Sequence, residues 1–168
     1  KIALIESQGR RSSRRLEFWV EDIGLKYKMS NLQAALGLAQ FERADEIIEK
    51  KIKIFQWYKN LLRLNDIYLN PQPKWVKNVY WLPTIIFGDT WKFSIEKRNK
   101  ILKNLNDKNI GVRPIFYPVS SFPMYKNCPD NKISQKIFKS GINLPSYYEM
   151  NEDDVNYVVE ELIKELKN

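Results

Sequence analysis

The sequence contains no histidine and only one cysteine, Cys128, among its 168 residues. Without imidazoles or a second thiol, we expect no zinc site, and a Ser-His-Asp or Cys-His catalytic arrangement within this chain is excluded. A single cysteine cannot form an internal disulfide. This favours a reducing, cytoplasmic setting.

Long apolar runs and phosphate-binding glycine motifs are also missing. No stretch approaches the roughly 18 consecutive apolar residues of a membrane-spanning helix, so the sequence predicts no membrane partner. Neither Gly-x-Gly-x-x-Gly nor Gly-x-x-x-x-Gly-Lys-Ser/Thr occurs, so dinucleotide and Walker-type binding have no support. The chain opens on Lys1 without a signal-peptide pattern. We therefore expect its natural N-terminus to lie further upstream.

Carboxylates form no recognisable general acid and base pair. They cluster on predicted helix faces, as at Glu152, Asp153 and Asp154, where their spacing suits helix capping and solvation. The sequence therefore assigns no catalytic residue within this chain.

Positive charge is in excess, with 28 Lys and Arg against 20 Asp and Glu and a formal net charge of +8. The segment GRRSSRR at residues 9–15 invites a nucleic-acid interpretation. The lysines, however, are spread along the chain and interleaved with Glu, as on solvated helix faces. Phosphates or nucleotides explain the charge as well as nucleic acid does, and a basic nucleic-acid-binding module stays an alternative.

The composition is 43% hydrophobic and 13% aromatic, enough for a packed core in one domain or part of a larger one. Ser30 and Gln33 form a Ser-x-x-Gln capping box, and apolar residues recur at helical spacing from there to Leu62. This pattern predicts one helix of about 30 residues. Such a helix either packs against a partner outside the chain or spans the whole domain, and the alternative is a helix buried in its own core.

Strands and further helices alternate after this long helix. Residues 1–8 are expected to end a helix and residues 10–29 to form a loop. The later segments predict strands at 78–88, 109–118 and 141–145, and helices at 94–108, 131–140 and 151–166. The sequence thus predicts an α+β fold, with a small mixed sheet packed against the long N-terminal helix and a C-terminal helix.

Two segments carry residues suited to binding anions. Lys26, Tyr27 and Lys28 precede the capped helix, whose free N–H groups and dipole favour an anion; alternatively they only flank the helix start. RPIFYPVSSFPMY at 113–125 joins Arg113 to three prolines and four aromatic residues. Arg113 would clamp a carboxylate or phosphate on a loop stiffened by proline, and the alternative is a rigid loop with only a structural role.

The order of these motifs resembles one protein family. GLKYKMSNLQAALGLAQFERADEIIEKK at 24–51 is similar to the segment G-[YF]-N-Y-R-M-[ST]-[ND]-L-Q-A-A-[IL]-G-x-A-Q-L of the pyridoxal-phosphate-dependent nucleotide-sugar aminotransferases, the DegT/DnrJ/EryC1/StrS family. VYWLPTIIF, GVRPIFYPVSSFPMY and GINLPS follow in that family's order. Within the family the chain looks most like the perosamine synthetases, which aminate C4 of a GDP-linked 4-keto-6-deoxy sugar with glutamate as donor.

The resemblance implies a type I aminotransferase fold, of which this chain would be the C-terminal part. Residues 1–29 would be the end of the large-domain segment and an active-site loop, and residues 30–168 the C-terminal small domain. The lysine that binds pyridoxal phosphate, and most groups that hold this cofactor, would lie upstream. The chain would therefore be inactive alone. The resemblance also implies a homodimer that acts in surface-polysaccharide (O-antigen) synthesis.

The same resemblance implies several binding residues. Lys26 takes the place of an Asn that binds the phosphate of the partner subunit's cofactor. The nucleotide-sugar site would be bordered by Trp19, Arg113, Tyr117, Ser120 and Ser121. Ser120 and Val20 stand where family members often have His, and this departure bears on the sugar specificity. The alternative is a diverged, non-catalytic remnant that only dimerises or binds a partner. A relative with His in place of the cofactor lysine would be a dehydratase.

Overall fold

The computed structural model describes residue 25 and residues 29–122 and 131–167. The chain divides into two compact units, Lys1–Ala44 and Asp45–Asn168. The predicted helix end at 1–8 and nearly all of the predicted loop at 10–29 lie outside the described residues. Within the part of the chain that is described, no helix has the length and hydropathy needed to cross a bilayer.

Helix α1, Asn31–Glu42, begins at the predicted capping box. The Ser30 N–H donates to Gln33 Oε1 at 2.9 Å, and the Gln33 N–H donates to Ser30 Oγ at 3.3 Å. Each side chain thereby satisfies a backbone group that the first helical turn leaves unpaired. No residue of α1 is buried, and Leu32 is 81% exposed.

The prediction of a single long helix from Ser30 to Leu62 is wrong in one respect, because the helix is interrupted at Arg43. Helix α2 starts afresh and runs over Ala44–Leu61. The Arg43 N–H donates to Gln40 O, three residues back, at 3.2 Å, which tightens the backbone and ends α1. No proline or glycine marks this position, and the apolar pattern continues across it. The sequence therefore gives no sign of the interruption.

Four short strands form one sheet in the order β1-β2-β4-β3. The α+β class is confirmed, but the expected mixed sheet is wrong, since every described strand pair is antiparallel. β2 and β3 run in the same direction, as strands joined through a helix often do, yet β4 lies between them and opposes both. The strands are β1 at Ile67–Leu69, β2 at Thr84–Phe87, β3 at Arg113–Pro114 and β4 at Gly141–Asn143.

Strand β1 was not predicted from the sequence. It pairs only with β2, and its three residues are too few for a period of two to be recognised. Asp66, directly before it, has a φ of 57° and closes the turn from α2.

Three further helices agree with the predicted segments to within a residue or two. Ser94 Oγ accepts from the Lys97 N–H at 3.1 Å and caps the first of them. Lys108, just beyond its end, reaches Glu161 and Glu165 of the last helix at 2.8 Å each. These helices are α3 at Ile95–Asp107, α4 at Lys132–Ser140 and α5 at Glu152–Lys167.

The core of the second unit lies between the sheet and helices α2, α3 and α5. Ile85 of β2 and Ile142 of β4 face each other in register and are both fully buried. Burying such side chains contributes about 1.5 to 3 kcal/mol each. The same cluster includes Ile54, Tyr58, Phe87, Ile101, Leu105, Val155 and Leu162.

Candidate functional site

A cavity of about 710 Å³ opens beside β3 and β4 of the second unit. The ends of both strands, the loop after β4 and one face of α5 form its walls. Polar and aromatic groups therefore meet here from parts of the sequence that are far apart. The lining residues are Trp81, Leu82, Asn109, Ile110, Gly111, Arg113, Pro114, Phe116, Asn143, Leu144, Pro145, Ser146, Tyr147, Met150, Asp154, Tyr157 and Val158.

Among the described residues that line the cavity, Arg113 is the only cation. It lies opposite Asn143 in the pairing of β3 with β4. The buried Asn143 side chain donates to Pro114 O at 3.1 Å and accepts from Thr84 Oγ1 at 2.8 Å, which ties β3 to the middle of the sheet. Among the described residues the Arg113 side chain has no hydrogen-bond or ion-pair partner, so its guanidinium is free to bind an anion.

An aromatic pair lines the same cavity as Arg113. The rings of Trp81 and Phe116 are stacked, with centroids 6.4 Å apart and planes 15° from parallel. Both side chains remain about two-thirds exposed, at 67% and 69%. Exposed aromatic faces next to a cation suit a ligand that carries both a flat or apolar ring and a negative charge.

The loop from Arg113 to Phe122 continues away from the cavity and rests on α4. Tyr117 packs on Phe138 of α4 with ring centroids 4.4 Å apart. Ser120 Oγ accepts from Asn131 Nδ2 at 2.7 Å, and Ser121 Oγ accepts from Gln135 Nε2 at 2.9 Å. These contacts fix the position of the loop.

The structure thus separates the predicted binding residues. Arg113 lines the cavity, whereas Tyr117, Ser120 and Ser121 lie further along the same loop, against α4. Trp19 and Lys26 lie outside the described residues. The role of Trp19 at a nucleotide-sugar site and that of Lys26 at a cofactor phosphate stay predictions.

Helix α2 holds the cavity wall that follows β4. The Tyr58 hydroxyl donates to Pro145 O at 3.0 Å, and Lys51 Nζ donates to the carbonyl and, at 3.1 Å, to the hydroxyl oxygen of Ser146. Burial raises the pKa of Tyr58 and lowers the pKa of Lys51. The Tyr148 hydroxyl also donates to Glu46. This wall is therefore fixed by several bonds to one helix.

Of the described residues that line the cavity, Asp154 alone carries a carboxylate, and this carboxylate already has hydrogen-bond partners. Its Oδ2 accepts from the Asn151 N–H at 2.9 Å and from the Tyr147 hydroxyl at 3.1 Å. Desolvation, followed by this bond to Asp154, raises the pKa of Tyr147. Asp154 thus stabilises the start of α5 through these bonds and is not placed for proton transfer. The arrangement suits binding more than catalysis.

Sequence reasoning missed Trp81, Asn143 and Asp154 as lining residues. Trp81 stood inside a predicted strand, Asn143 inside a short strand and Asp154 in a helical first turn. No local pattern distinguishes Trp81 or Asp154, because the segments that contain them come near β4 only through long-range packing. An Asn inside an otherwise apolar strand was the one available signal, since a buried amide needs partners.

The described residues do not make a pyridoxal phosphate site by themselves. A Schiff base requires a lysine at the site, and no lysine is among the described residues that line the cavity. At the start of α1, the Ser30 and Gln33 side chains already occupy N–H groups that would receive a phosphate.

Comparison with known proteins decides the family. The model of the DegT/DnrJ/EryC1/StrS aminotransferase family matches residues 1–163. The chain belongs to this family. Its curated relatives include the GDP-perosamine synthase of Escherichia coli O157:H7, 34% identical over 147 residues that cover 87% of this chain and 39% of that protein. The GDP-perosamine synthase of Caulobacter vibrioides is 32% identical over 95% of this chain and 43% of that protein.

Solved aminotransferase structures share the fold of this chain. Helicobacter pylori PseC, an aminotransferase involved in pseudoaminic acid biosynthesis, matches with a TM-score of 0.79 at 21% identity and covers 98% of this chain and 45% of its own. The putative sugar aminotransferase Spr1654 of Streptococcus pneumoniae matches with a TM-score of 0.80 at 20% identity over 98% and 42%. The chain therefore spans less than half the length of the relatives it matches.

Proposed function

We propose that this chain is the C-terminal part of a sugar aminotransferase of the perosamine type. The whole enzyme would replace the C4 carbonyl oxygen of a GDP-linked 4-keto-6-deoxy sugar by an amino group, and glutamate would become 2-oxoglutarate. The observation that carries this proposal is the 32–34% identity to two GDP-perosamine synthases over 87–95% of the chain. The free Arg113 beside an aromatic-lined cavity supports it, because a nucleotide sugar combines a diphosphate with rings.

In this proposal the chain's own residues bind and orient the substrate. Arg113 would pair with diphosphate oxygens through its planar fork of N–H donors. Trp81 and Phe116 would stack on the base or sugar ring. Tyr117, Ser120 and Ser121 would border the same substrate from the loop resting on α4. The cofactor, pyridoxal phosphate, would supply the electron sink of the reaction and be held mainly by residues upstream of this chain.

The same family membership supports a proposal for the assembly. A homodimer is proposed, with Lys26 directed at the phosphate of the partner subunit's cofactor. We further propose a cytoplasmic enzyme that supplies an amino sugar for a surface polysaccharide such as an O-antigen. One relative, from Bacillus subtilis, is described as a putative pyridoxal phosphate-dependent aminotransferase, and this supports the choice of cofactor.

The deciding experiment uses the product of the intact gene, including whatever is encoded upstream of Lys1. GDP-4-keto-6-deoxymannose, glutamate and pyridoxal phosphate are supplied, and mass spectrometry follows the conversion of a carbonyl into an amine. We expect amination with glutamate consumed in equal amount. A gene product that binds the cofactor but leaves the keto sugar unchanged would end the perosamine proposal.

A second measurement tests whether the 168-residue chain lacks the chemistry. The chain is incubated with pyridoxal phosphate, reduced with borohydride and weighed by mass spectrometry. We expect no specific covalent adduct. Non-specific labelling of lysines is measured on the same chain after denaturation. A single saturating adduct on one native lysine would contradict the proposal that the cofactor lysine lies upstream.

A further inference from the structure

Arg98, on α3, is a buried cation without a carboxylate partner. Its side chain is 2% exposed, and no acid pairs with it among the described residues. Its Nε and Nη2 donate to Asn99 Oδ1 at 3.2 and 3.0 Å, and its Nη1 donates to Phe138 O. Burial lowers the pKa of Arg98, and the neighbouring Tyr117 hydroxyl opposes part of that shift. A desolvated charge is costly, so its placement needs a reason.

The end of α4 provides the compensation. Phe138 lies in the last turn of α4, where carbonyl groups have no partner within the helix. The same end carries the negative pole of the helix dipole, which favours a cation. Arg98 therefore closes the C-terminal end of α4 and fixes that end against α3.

The same phenylalanine connects Arg98 to the loop of the candidate site. Arg98 Cζ lies 4.6 Å from the centroid of the Phe138 ring, and the Tyr117 ring lies 4.4 Å from it at an angle of 37°. Phe138 itself is 6% exposed, so it has little freedom to move. The loop also receives bonds from Asn131 and Gln135, at the start of α4 and in its first turns.

We propose that Arg98 is a positioning residue for the loop 113–122. It holds the last turn of α4 and the Phe138 ring in place, and Tyr117 takes its orientation from that ring. Arg98 has no contact with the cavity, so it acts through Phe138 and Tyr117. Its bearing on substrate binding rests on the proposed function, in which this loop borders the nucleotide sugar, but the orientation of Tyr117 can be measured without any substrate.

The test compares Arg98→Met with Lys108→Met by fluorine NMR of the full chain labelled with 3-fluorotyrosine. The Tyr117 resonance is assigned from its loss in Tyr117→Phe. In the unmodified chain we expect this resonance to be displaced by the ring current of Phe138. Arg98→Met should move it toward the value of the unfolded chain. Lys108→Met removes a cation from the other end of α3 and should leave it unchanged.

Arg98→Lys serves as the conservative variant and as the safeguard against unfolding. It keeps the charge and one donor to the Phe138 carbonyl but loses the planar stacking, so it should retain only part of the displacement. An unchanged Tyr117 resonance in folded Arg98→Met, or in Arg98→Lys where the first variant does not fold, overturns the proposal. Equal effects of Lys108→Met and Arg98→Met would also overturn it, since a general loss of stability would then explain both. None of these outcomes bears on the amination test.

Discussion

The side chain of Ile115 packs directly on the backbone of Gly141. A Cβ added to Gly141 would overlap the Cδ1 and Cγ1 atoms of Ile115 and would lie 2.9 Å from Ile137 O. Gly141 begins the central strand β4, and Ile115 belongs to the loop that carries Arg113. The absence of one side chain therefore sets how closely that loop approaches the sheet.

Gly141→Ala should consequently destabilise the protein and displace the loop. Overpacking of this kind costs about 1 to 3 kcal/mol, measured as the change in the free energy of unfolding in urea. Gly111→Ala is the matched control, because a Cβ at Gly111 meets no atom within 4 Å. Equal stability of the two variants would show that Ile115 yields freely and that the close approach has no role.

Tyr58→Phe should loosen the cavity wall that follows β4. The variant removes the hydroxyl that donates to Pro145 O and leaves this carbonyl without that partner. The expected cost is about 1 to 3 kcal/mol of unfolding free energy. Tyr68→Phe is the control, because Tyr68 is 59% exposed and its bond to Asp66 competes with water. A cost no greater than that of the control would contradict the importance of the Tyr58 bond.

The sequence was informative wherever structure is decided locally. Ser30 with Gln33 predicted the start of α1, and Ser94 lies at the start of α3 because a hydroxyl there satisfies a free N–H. The α+β class followed from the change between helical and strand periods. The interruption at Arg43 was not predictable, because it changes one backbone hydrogen bond without altering the apolar pattern.

The candidate site was predicted only in part, for a physical reason. Arg113 was identified because a lone arginine among prolines is a local pattern. Asn143 and Asp154 come near it only when β4 pairs between β2 and β3 and α5 packs on the sheet. Tertiary pairing of this kind leaves no local trace in one sequence. Arg98 was missed similarly, since a buried arginine resembles an exposed one in a lysine-rich helix.

Lowering the pH should destabilise the contact between α3 and α5. Hydrogen bonds from Lys108 and Lys164 lower the pKa of Glu161, and bonds from Asn104 and Lys108 lower that of Glu165. A carboxylate whose pKa is lowered by folding stabilises the protein above its ordinary pKa, here 4.5. That contribution is lost as the pH falls through the lower pKa of the folded state.

Lys108→Met tests this pH dependence. Urea midpoints are measured from neutral pH to well below 4.5, and we expect the variant to lose less stability on acidification than the unmodified chain. Lys103→Met is the control, as an exposed lysine of the same helix with no ion pair among the described residues. Parallel acid profiles for all three proteins would show that Lys108 does not set these carboxylate pKa values. The bonds to Glu161 and Glu165 raise the pKa of Lys108. The contribution of Lys108 to stability is therefore retained at high pH and is lost only as the pH rises through this raised pKa.

Arg113→Ala should weaken nucleotide binding without altering stability. GDP is the probe, and quenching of tryptophan fluorescence is the measurement, since Trp81 lines the same cavity as Arg113. A hydrogen bond to a charged group contributes about 1.5 to 3 kcal/mol, so the affinity should fall roughly tenfold or more. The free energy of unfolding should change by no more than about 0.5 kcal/mol, because Arg113 has no partner to lose among the described residues.

Two further variants separate charge from geometry at this position. Arg63→Ala removes the same charge from an exposed residue outside the cavity and should leave GDP affinity unchanged. Arg113→Lys keeps the charge but not the planar fork, so its affinity should lie between those of the unmodified chain and Arg113→Ala. Equal weakening by Arg63→Ala and Arg113→Ala would mean that GDP responds only to net charge. The cavity beside β3 would then not be the nucleotide site.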